Sequence, residues 1–172
     1  MKLIKSRFVA ERDWVSKAIQ FVEGGSLICH CGFVFDAEEQ AALNIKGPYI
    51  ESHDTHGVGV YDDAFYVGGN TVTWQRVYGN EVTDDQYAVM TSGMKSRFGA
   101  PYDFKDIFGR LLHKEWHNDK GFDCSAFHVA MMWLGGLQLL NVLPEFQYKV
   151  TPEMDHLSSL FIGKQLPQYS IG

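Results

Sequence analysis

The sequence predicts a single α+β domain in which an antiparallel sheet packs against helices. Three observations support this: an amphipathic stripe over residues 11–22, short apolar segments between residues 26 and 78, and helical periodicity in the second half. Helix first, strands next and helices last is an order typical of α+β folds rather than of repeated βαβ units. The 172 residues fit one domain, residues 1–172, that can bury a core without disulfides.

The first half of the chain is predicted to supply one helix and the sheet. The helix has an apolar stripe at i, i+3 and i+4 spacing, formed by Trp14, Val15, Ala18, Ile19 and Val22, and Gly24-Gly25 ends it. Residues 26–35 indicate a buried strand, and residues 36–44 a polar connection. Further strands are predicted over residues 48–52, 58–61, 64–67 and 71–78, with Gly68-Gly69-Asn70 as a hairpin turn.

The second half is predicted to be mainly helical, over residues 83–98, 103–114 and 123–134. The last of these helices is the best defined, because Asp123 is a suitable N-cap and Gly135-Gly136 a suitable stop. Its apolar side is formed by Phe127, Ala130, Met131 and Leu134.

Composition excludes several classes of protein. With 15 basic and 21 acidic residues the formal charge is −6, which argues against nucleic acid as the main partner. No apolar run reaches the roughly 18 residues of a membrane span, so no integral membrane segment is expected. Residues 1–7 are basic but no apolar stretch follows them, so no secretory signal is expected. The expected location is therefore the cytoplasm. The three cysteines are too few for a disulfide framework and are expected to be free thiols.

Two of the cysteines are expected to be structural. Side chains alternate along a strand, which places Cys29 and Cys31 with Phe33 and Phe35 on one face, and His30 with Gly32 on the other. A thiol buried among apolar side chains has a raised pKa and is inert. The alternation also argues against a zinc site, because His30 points away from both cysteines.

A second histidine segment, His53-Asp54-Thr55-His56, could also supply metal ligands. A solvated loop is the preferred interpretation of this segment, so no metal is expected there.

Cys124 differs from the other two cysteines because it lies at a predicted helix start. The partial positive charge of a helix N-terminus favours a thiolate, and the unpaired N–H groups of its first turn can hold an oxyanion. A small residue packed at a helix start is an equally good interpretation of the position alone.

A nucleophilic thiol needs a base, and two histidines compete for this role. His128 lies four residues after Cys124 on the same helical face. His30 lies on the predicted strand, on the same face as Gly32, where a missing side chain would leave space for a substrate backbone. Spacing alone does not decide between them.

Several short motifs resemble those of NlpC-type cysteine peptidases. Gly99-Ala100-Pro101-Tyr102 and Asp123-Cys124-Ser125 resemble the family's Gly-x-Pro-Tyr and Asp-Cys-Ser motifs. A strand histidine here precedes the cysteine, in Cys29-His30-Cys31-Gly32, as in the circularly permuted, YiiX-like branch of these papain-fold hydrolases. The sequences around Glu51 and Thr151-Pro152 also resemble elements of that branch, so the resemblance spans about residues 12–160.

This resemblance implies a papain-like fold of the permuted NlpC type and a catalytic set. Cys124 would be the nucleophile, His30 the general base, Glu51 the group that orients the imidazole, and Tyr102 a contributor to the oxyanion hole. His128 stands where the family has an apolar residue, and the gap between Tyr102 and Cys124 is longer than in the usual motif.

The expected activity is that of a cysteine hydrolase, a peptidase or amidase that works through a thioester without a cofactor. The expected partner is a peptide or amide substrate, with cell-wall peptides the leading expectation from the resemblance. A lipid acyltransferase or N-acyl amidase similar to the lecithin–retinol acyltransferase group is an alternative enzyme, and would need an exposed apolar groove near Cys124. A binding module with Cys124 and His30 too far apart to react is the non-enzymatic alternative.

Overall fold

The computed structural model describes residues 1–12, 14–22, 25–67, 72–111, 120–140 and 149–171. Within these residues five strands form one sheet: β1 (Lys2–Glu11), β2 (His30–Val34), β3 (Tyr49–His53), β4 (Gly57–Tyr61) and β5 (Val72–Val82). Their order is β4-β3-β2-β1-β5, and every neighbouring pair is antiparallel. The predicted α+β class with an antiparallel sheet is therefore confirmed.

The described helices are α1 (Trp14–Val22), α2 (Ala37–Leu43), α3 (Asp63–Val67), α4 (Asp84–Lys95), α5 (Phe104–Leu111), α6 (Cys124–Leu134) and α7 (Pro152–His156), followed by short 3₁₀ turns at Ser159–Phe161 and Pro167–Tyr169. Helix α6 carries the cysteine and packs on the sheet, where Phe127 meets the ring of Phe33 on β2. None of the helices within the described ranges is long and apolar enough to cross a bilayer.

Strand β1 lies inside the sheet, between β2 and β5, and no sequence pattern predicted it. Every residue from Ile4 to Glu11 is buried, including the charged Lys5 and Arg7. Charged residues at alternating positions suggest a solvent-exposed face, which concealed a strand that is covered on both sides. Lys5 is buried because Asp36 and Glu39 lie 3.0 and 2.5 Å from its ammonium.

The two faces of the sheet differ in chemistry. One face carries Ile4, Phe8, Cys31 and Phe33 into the main hydrophobic core with α4 and α6. The opposite face carries a polar row across three strands, because Arg7 pairs with Gly32 and Gly32 with Glu51. The strand register thus brings together a buried arginine, a glycine and a buried glutamate.

One strand predicted in the first half was wrong. Residues 64–67 are not a strand but part of helix α3, whose first turn is capped by the bond from Phe65 N–H to the Asp62 carboxylate at 3.0 Å. The polar connection predicted over residues 36–44 contains helix α2, which begins with a reciprocal capping box between Asp36 and Glu39.

Some predictions fall on residues outside the described ranges. These are the Gly68-Gly69-Asn70 turn, Thr71 at the start of a strand, Gly24 at the end of the first helix, and residues 112–114 of a predicted helix.

Candidate active site

The start of helix α6 holds Cys124 in a fixed, buried position. Asp123 is the N-cap, as predicted, and accepts from the Ala126 N–H at 2.6 Å and the Ser125 hydroxyl at 3.0 Å. Cys124 is the first helical residue and only 2% exposed. Its sulfur lies 3.9 Å from the carbonyl oxygen of Cys29, just before β2.

His30, the first residue of β2, contacts both Cys124 and Glu51. Its Nε2 lies 3.1 Å from Glu51 Oε2, an ion-pair contact without the alignment of a good hydrogen bond. The ring also forms a hydrogen bond with the Cys124 thiol. Since Nε2 faces the carboxylate, Nδ1 is the nitrogen left to exchange a proton with sulfur. Three of the predicted residues therefore lie in the order thiol, imidazole, carboxylate.

The missing side chain of Gly32 makes room for Glu51 and not for substrate, contrary to the sequence prediction. A Cβ atom at Gly32 would lie 2.6 Å from the Cβ of Glu51 and 2.8 Å from its Oε2. The glutamate side chain therefore occupies the space above the glycine. This lets a residue paired with Gly32 reach His30, two positions along the neighbouring strand.

Arg7 forms an ion pair with Glu51, and no sequence pattern predicted this contact. Its guanidinium lies 3.2 Å from Glu51 Oε2, donates to the Tyr66 hydroxyl at 3.1 Å and to Gln75 Oε1 at 2.7 Å. The same group stacks on the ring of Tyr49 at 3.8 Å. Arg7 and Glu51 are 1% and 0% exposed, so each charge depends on the other for compensation.

The charges around the site favour a thiolate–imidazolium pair. Burial by itself would lower the pKa of His30, but the negative charges of Glu51 and Cys124 raise it well above its ordinary value. A hydrogen bond from Cys31, followed by the charge of His30, lowers the pKa of Cys124 to about 5 despite burial. Burial would raise the pKa of Glu51, yet His30 and Arg7 hold it below its ordinary range.

Tyr102 is buried beside the same histidine. It lines a small cavity together with His30 and packs against the ring of Phe104, with centroids 5.1 Å apart. Backbone bonds from Phe122 N–H to Pro101 O at 3.0 Å and from Asp103 N–H to Phe122 O at 3.3 Å close the long segment between Tyr102 and Cys124 at its base. The unusual length of that segment therefore does not separate the two motifs.

The cavity beside His30 has a volume of about 10 Å³ and is lined largely by polar side chains: Glu11, Ser16, Ile19, Cys29, His30, His53, Asp54 and Tyr102. That volume is about the size needed for one water molecule. The described residues thus hold the site in a closed form, which a peptide could enter only after it widens.

His53 is a buried neighbour of the site and not part of a solvated loop, as the sequence suggested. It is 4% exposed and ends β3, with its ring centroid 5.3 Å from that of His30. Burial would lower the pKa of His53, but Asp54 at 2.5 Å and Glu11 at 3.5 Å raise it to about 9. Thr55 and His56 of the same segment are exposed, so the interpretation is correct for those two residues.

His128, the rival base, is engaged elsewhere. Its Nδ1 donates to Asp155 Oδ2 at 2.5 Å, and its Nε2 lies 2.8 Å from the Ser6 hydroxyl. Its ring lies against Phe33, with centroids 4.6 Å apart. Because both nitrogens have partners inside the core, the geometry favours His30 over His128 as the group that exchanges a proton with Cys124.

One group of described side chains could meet the geometric needs of a metal ion. The ligand atoms of Cys31, His128 and Asp155 all lie within 4.8 Å of one another. The 2.5 Å separation between His128 and Asp155 is that of a proton-bridged pair, shorter than two ligands of one zinc ion require. These residues therefore fit a buried hydrogen-bond network better than a metal centre.

The three free cysteines have three different surroundings. Cys29 packs against Ile19 and accepts from the Glu11 N–H at 3.2 Å, and burial raises its pKa to about 12. Cys31 lies in the main core, as predicted, where burial also raises its pKa. Cys29 does not share this cluster, because β2 begins only at His30 and strand alternation does not extend back to residue 29.

No protein-family model matches the chain, and no curated protein matches it in sequence.

Proposed function

We propose that this protein is a cysteine hydrolase, a peptidase or amidase that cleaves an amide bond through a thioester on Cys124. The observation that supports this most strongly is that His30 contacts both Cys124 and Glu51. Arg7 in turn forms an ion pair with Glu51. A nucleophile, a base within reach and a third group that orients the base form the arrangement that activates a thiol.

The reaction begins from the ion pair between the Cys124 thiolate and protonated His30. The Cys124 thiolate attacks the substrate carbonyl, and protonated His30 gives its proton to the leaving amine. A water molecule then loses a proton to neutral His30 and attacks the thioester, the C–S bond breaks, and the acid leaves while the Cys124 thiolate and protonated His30 are restored. Glu51 keeps a proton on Nε2 and so directs Nδ1 to the sulfur.

The start of helix α6 also suits the oxyanion. The first N–H groups of a helix have no partner within that helix, and the partial positive charge there stabilises developing negative charge. Tyr102 shares the cavity with His30, a position from which its hydroxyl would add a second donor.

The lining of the cavity favours a polar group next to His30, as in a peptide or amide. Cell-wall peptides remain the leading candidates on the family resemblance alone. An acyltransferase similar to the lecithin–retinol acyltransferase group would form the same thioester but pass it to an alcohol or amine. The interaction between Cys124 and His30 also argues against an inactive binding module, in which the two residues would lie too far apart to react.

The first test is alkylation by iodoacetamide across pH, followed by peptide mapping. We expect Cys124 to label before Cys29 and Cys31, with a rate that falls only as the pH drops toward about 5. In His30→Ala the rate at pH 7 should fall about 30-fold, because an ordinary thiol is only a few per cent ionised there. His56→Ala, which alters an exposed histidine, is the matched control.

A panel of fluorogenic peptide and acyl amides then tests the chemistry. Hydrolysis should be lost in Cys124→Ala, and the acyl-enzyme should be visible by intact mass. Transfer of the acyl group to an added alcohol or amine in preference to water would favour the acyltransferase. Equal labelling of all three cysteines in the folded protein, together with no turnover, would contradict the proposal.

A further inference from the structure

A second thiol lies close to the reacting thiol. Cys31 points from β2 into the core cluster that also contains Cys124, and it lowers the pKa of the Cys124 thiol. Its sulfur lies 3.9 Å from Asp155 Oδ2 and within 4.8 Å of a ring nitrogen of His128, one helical turn after Cys124. Cys31 neither bonds to the substrate nor transfers a proton in the amide hydrolysis above.

We propose that Cys31 is a resolving cysteine, so that a hydroperoxide converts the site to a Cys31–Cys124 disulfide that blocks the nucleophile reversibly. The loss of hydrolysis rests on the proposed function, whereas the disulfide itself does not. This assigns the pair as a site of oxidative modification.

The chemistry proceeds in two balanced steps. The Cys124 thiolate attacks one oxygen of hydrogen peroxide, the O–O bond breaks, and the products are a sulfenic acid on Cys124 and hydroxide. The Cys31 sulfur then attacks the Cys124 sulfur, the S–O bond breaks, and water leaves with the thiol proton. The peroxide is reduced to water and hydroxide, and the two thiols are oxidised to one disulfide.

The surroundings favour a small oxidant over a large one. Cys124 is 2% exposed and Cys31 fully buried, so a bulky disulfide such as oxidised glutathione has no path to either sulfur in the closed form. The cavity of about 10 Å³ beside His30, which Cys29 lines and which neither Cys31 nor Cys124 lines, holds only a molecule near the size of water. Hydrogen peroxide is the common oxidant closest to that size.

The local geometry allows the bond to close. A disulfide is about 2.0 Å long, so the two sulfurs must move closer together before the bond forms. Cys124 is the first residue of α6, where no preceding helical turn restricts rotation of its side chain. Cys29 lacks this opportunity, because its thiol is directed to Val9 O at 3.6 Å and only its backbone carbonyl faces Cys124.

The test treats the reduced protein with excess hydrogen peroxide and maps its peptides under non-reducing conditions. We expect a peptide pair that joins Cys31 to Cys124, lighter by two hydrogens and separated by dithiothreitol. In Cys31→Ser, which keeps a donor of similar size, Cys124 should instead oxidise to a sulfinic acid that dithiothreitol does not reduce. Cys29→Ser should behave as the unaltered protein does.

A Cys29–Cys124 link, no link at all, or an unreacted Cys124 would overturn the proposal. If Cys31→Ser fails to fold by circular dichroism, the map of the unaltered chain decides by itself. A Cys31–Cys124 link in a protein that hydrolyses no amide would disprove the proposed function and leave this inference standing.

Discussion

At the scale of single residues, the candidate site is a chain of alternating charges with little access to water. Arg7, Glu51, His30 and Cys124 follow one another in contact, positive and negative by turns. Transfer of each charge from water into the interior costs several kcal/mol, which only a correctly placed partner offsets. Removal of one charge of a pair should therefore lower the stability of the fold more than removal of both charges.

Arg7→Met tests this coupling. The change leaves the Glu51 carboxylate buried beside an apolar side chain, and we expect the free energy of unfolding to fall by about 3–5 kcal/mol. Urea denaturation at neutral pH measures the loss. Arg12→Met alters an exposed arginine and should change stability by no more than about 0.5 kcal/mol.

The double variant Arg7→Met/Glu51→Gln separates charge coupling from simple packing. Without the carboxylate, the missing guanidinium should cost much less, so the double variant should be more stable than Arg7→Met alone. If the losses of stability in Arg7→Met and in Glu51→Gln simply add in the double variant, the contact between the two charges does not stabilise the fold as described.

At the scale of elements, two glycines flank Glu51 across the sheet, and only one of them determines where its side chain lies. Glu51 pairs with Gly32 on β2 and with Gly59 on β4. The space above Gly32 is filled by the Glu51 side chain, whereas the nearest atom to a Cβ on Gly59 would be in the Tyr61 ring at 3.7 Å. The same substitution at the two glycines should therefore have opposite consequences.

Gly32→Ala should displace the Glu51 carboxylate from His30, while Gly59→Ala should be tolerated. For the first we expect a loss of about 1–3 kcal/mol from overpacking, and slower alkylation of Cys124 near neutral pH because His30 loses its counter-charge. For the second we expect neither effect. Chemical denaturation and the alkylation rate measure both, and a similar response of the two variants would contradict the packing described here.

Elements with a simple pattern could be predicted from the sequence, and elements with buried charge could not. Helix α6 and its cap follow from Asp123, an apolar face and two glycines, and β2 follows from its apolar run. Strand β1 escaped prediction because Lys5 and Arg7 hide its burial. The partners that bury them, Asp36, Glu39 and Glu51, are distant in sequence, and no local pattern predicts such pairing.

At the scale of the whole molecule, folding moves a proton from one group of the site to another without changing the number of protons that the site binds. Near neutral pH the folded protein holds a proton on His30 that the unfolded chain carries on Cys124, because the pKa of His30 is raised and that of Cys124 lowered. This exchange makes no net contribution to the pH dependence of stability. His53 has no such compensation from Asp54, 2.5 Å from its Nδ1, because the pKa of that carboxyl is held below its ordinary value and the group stays ionised near neutral pH.

Stability should therefore fall as the pH rises from about 7 to 8, and His53 should cause the fall, because the buried thiols of Cys29 and Cys31 stay largely protonated in both states there. The folded pKa of His53 is about 9 against an ordinary 6.5, so over this range the folded protein binds a proton that the unfolded chain has released. Each pH unit should then remove about 1.4 kcal/mol from the free energy of unfolding, measured by urea denaturation. His53→Gln should flatten this slope, and His56→Gln, at an exposed position, should leave it intact. A slope that survives in His53→Gln would show that another group releases the proton.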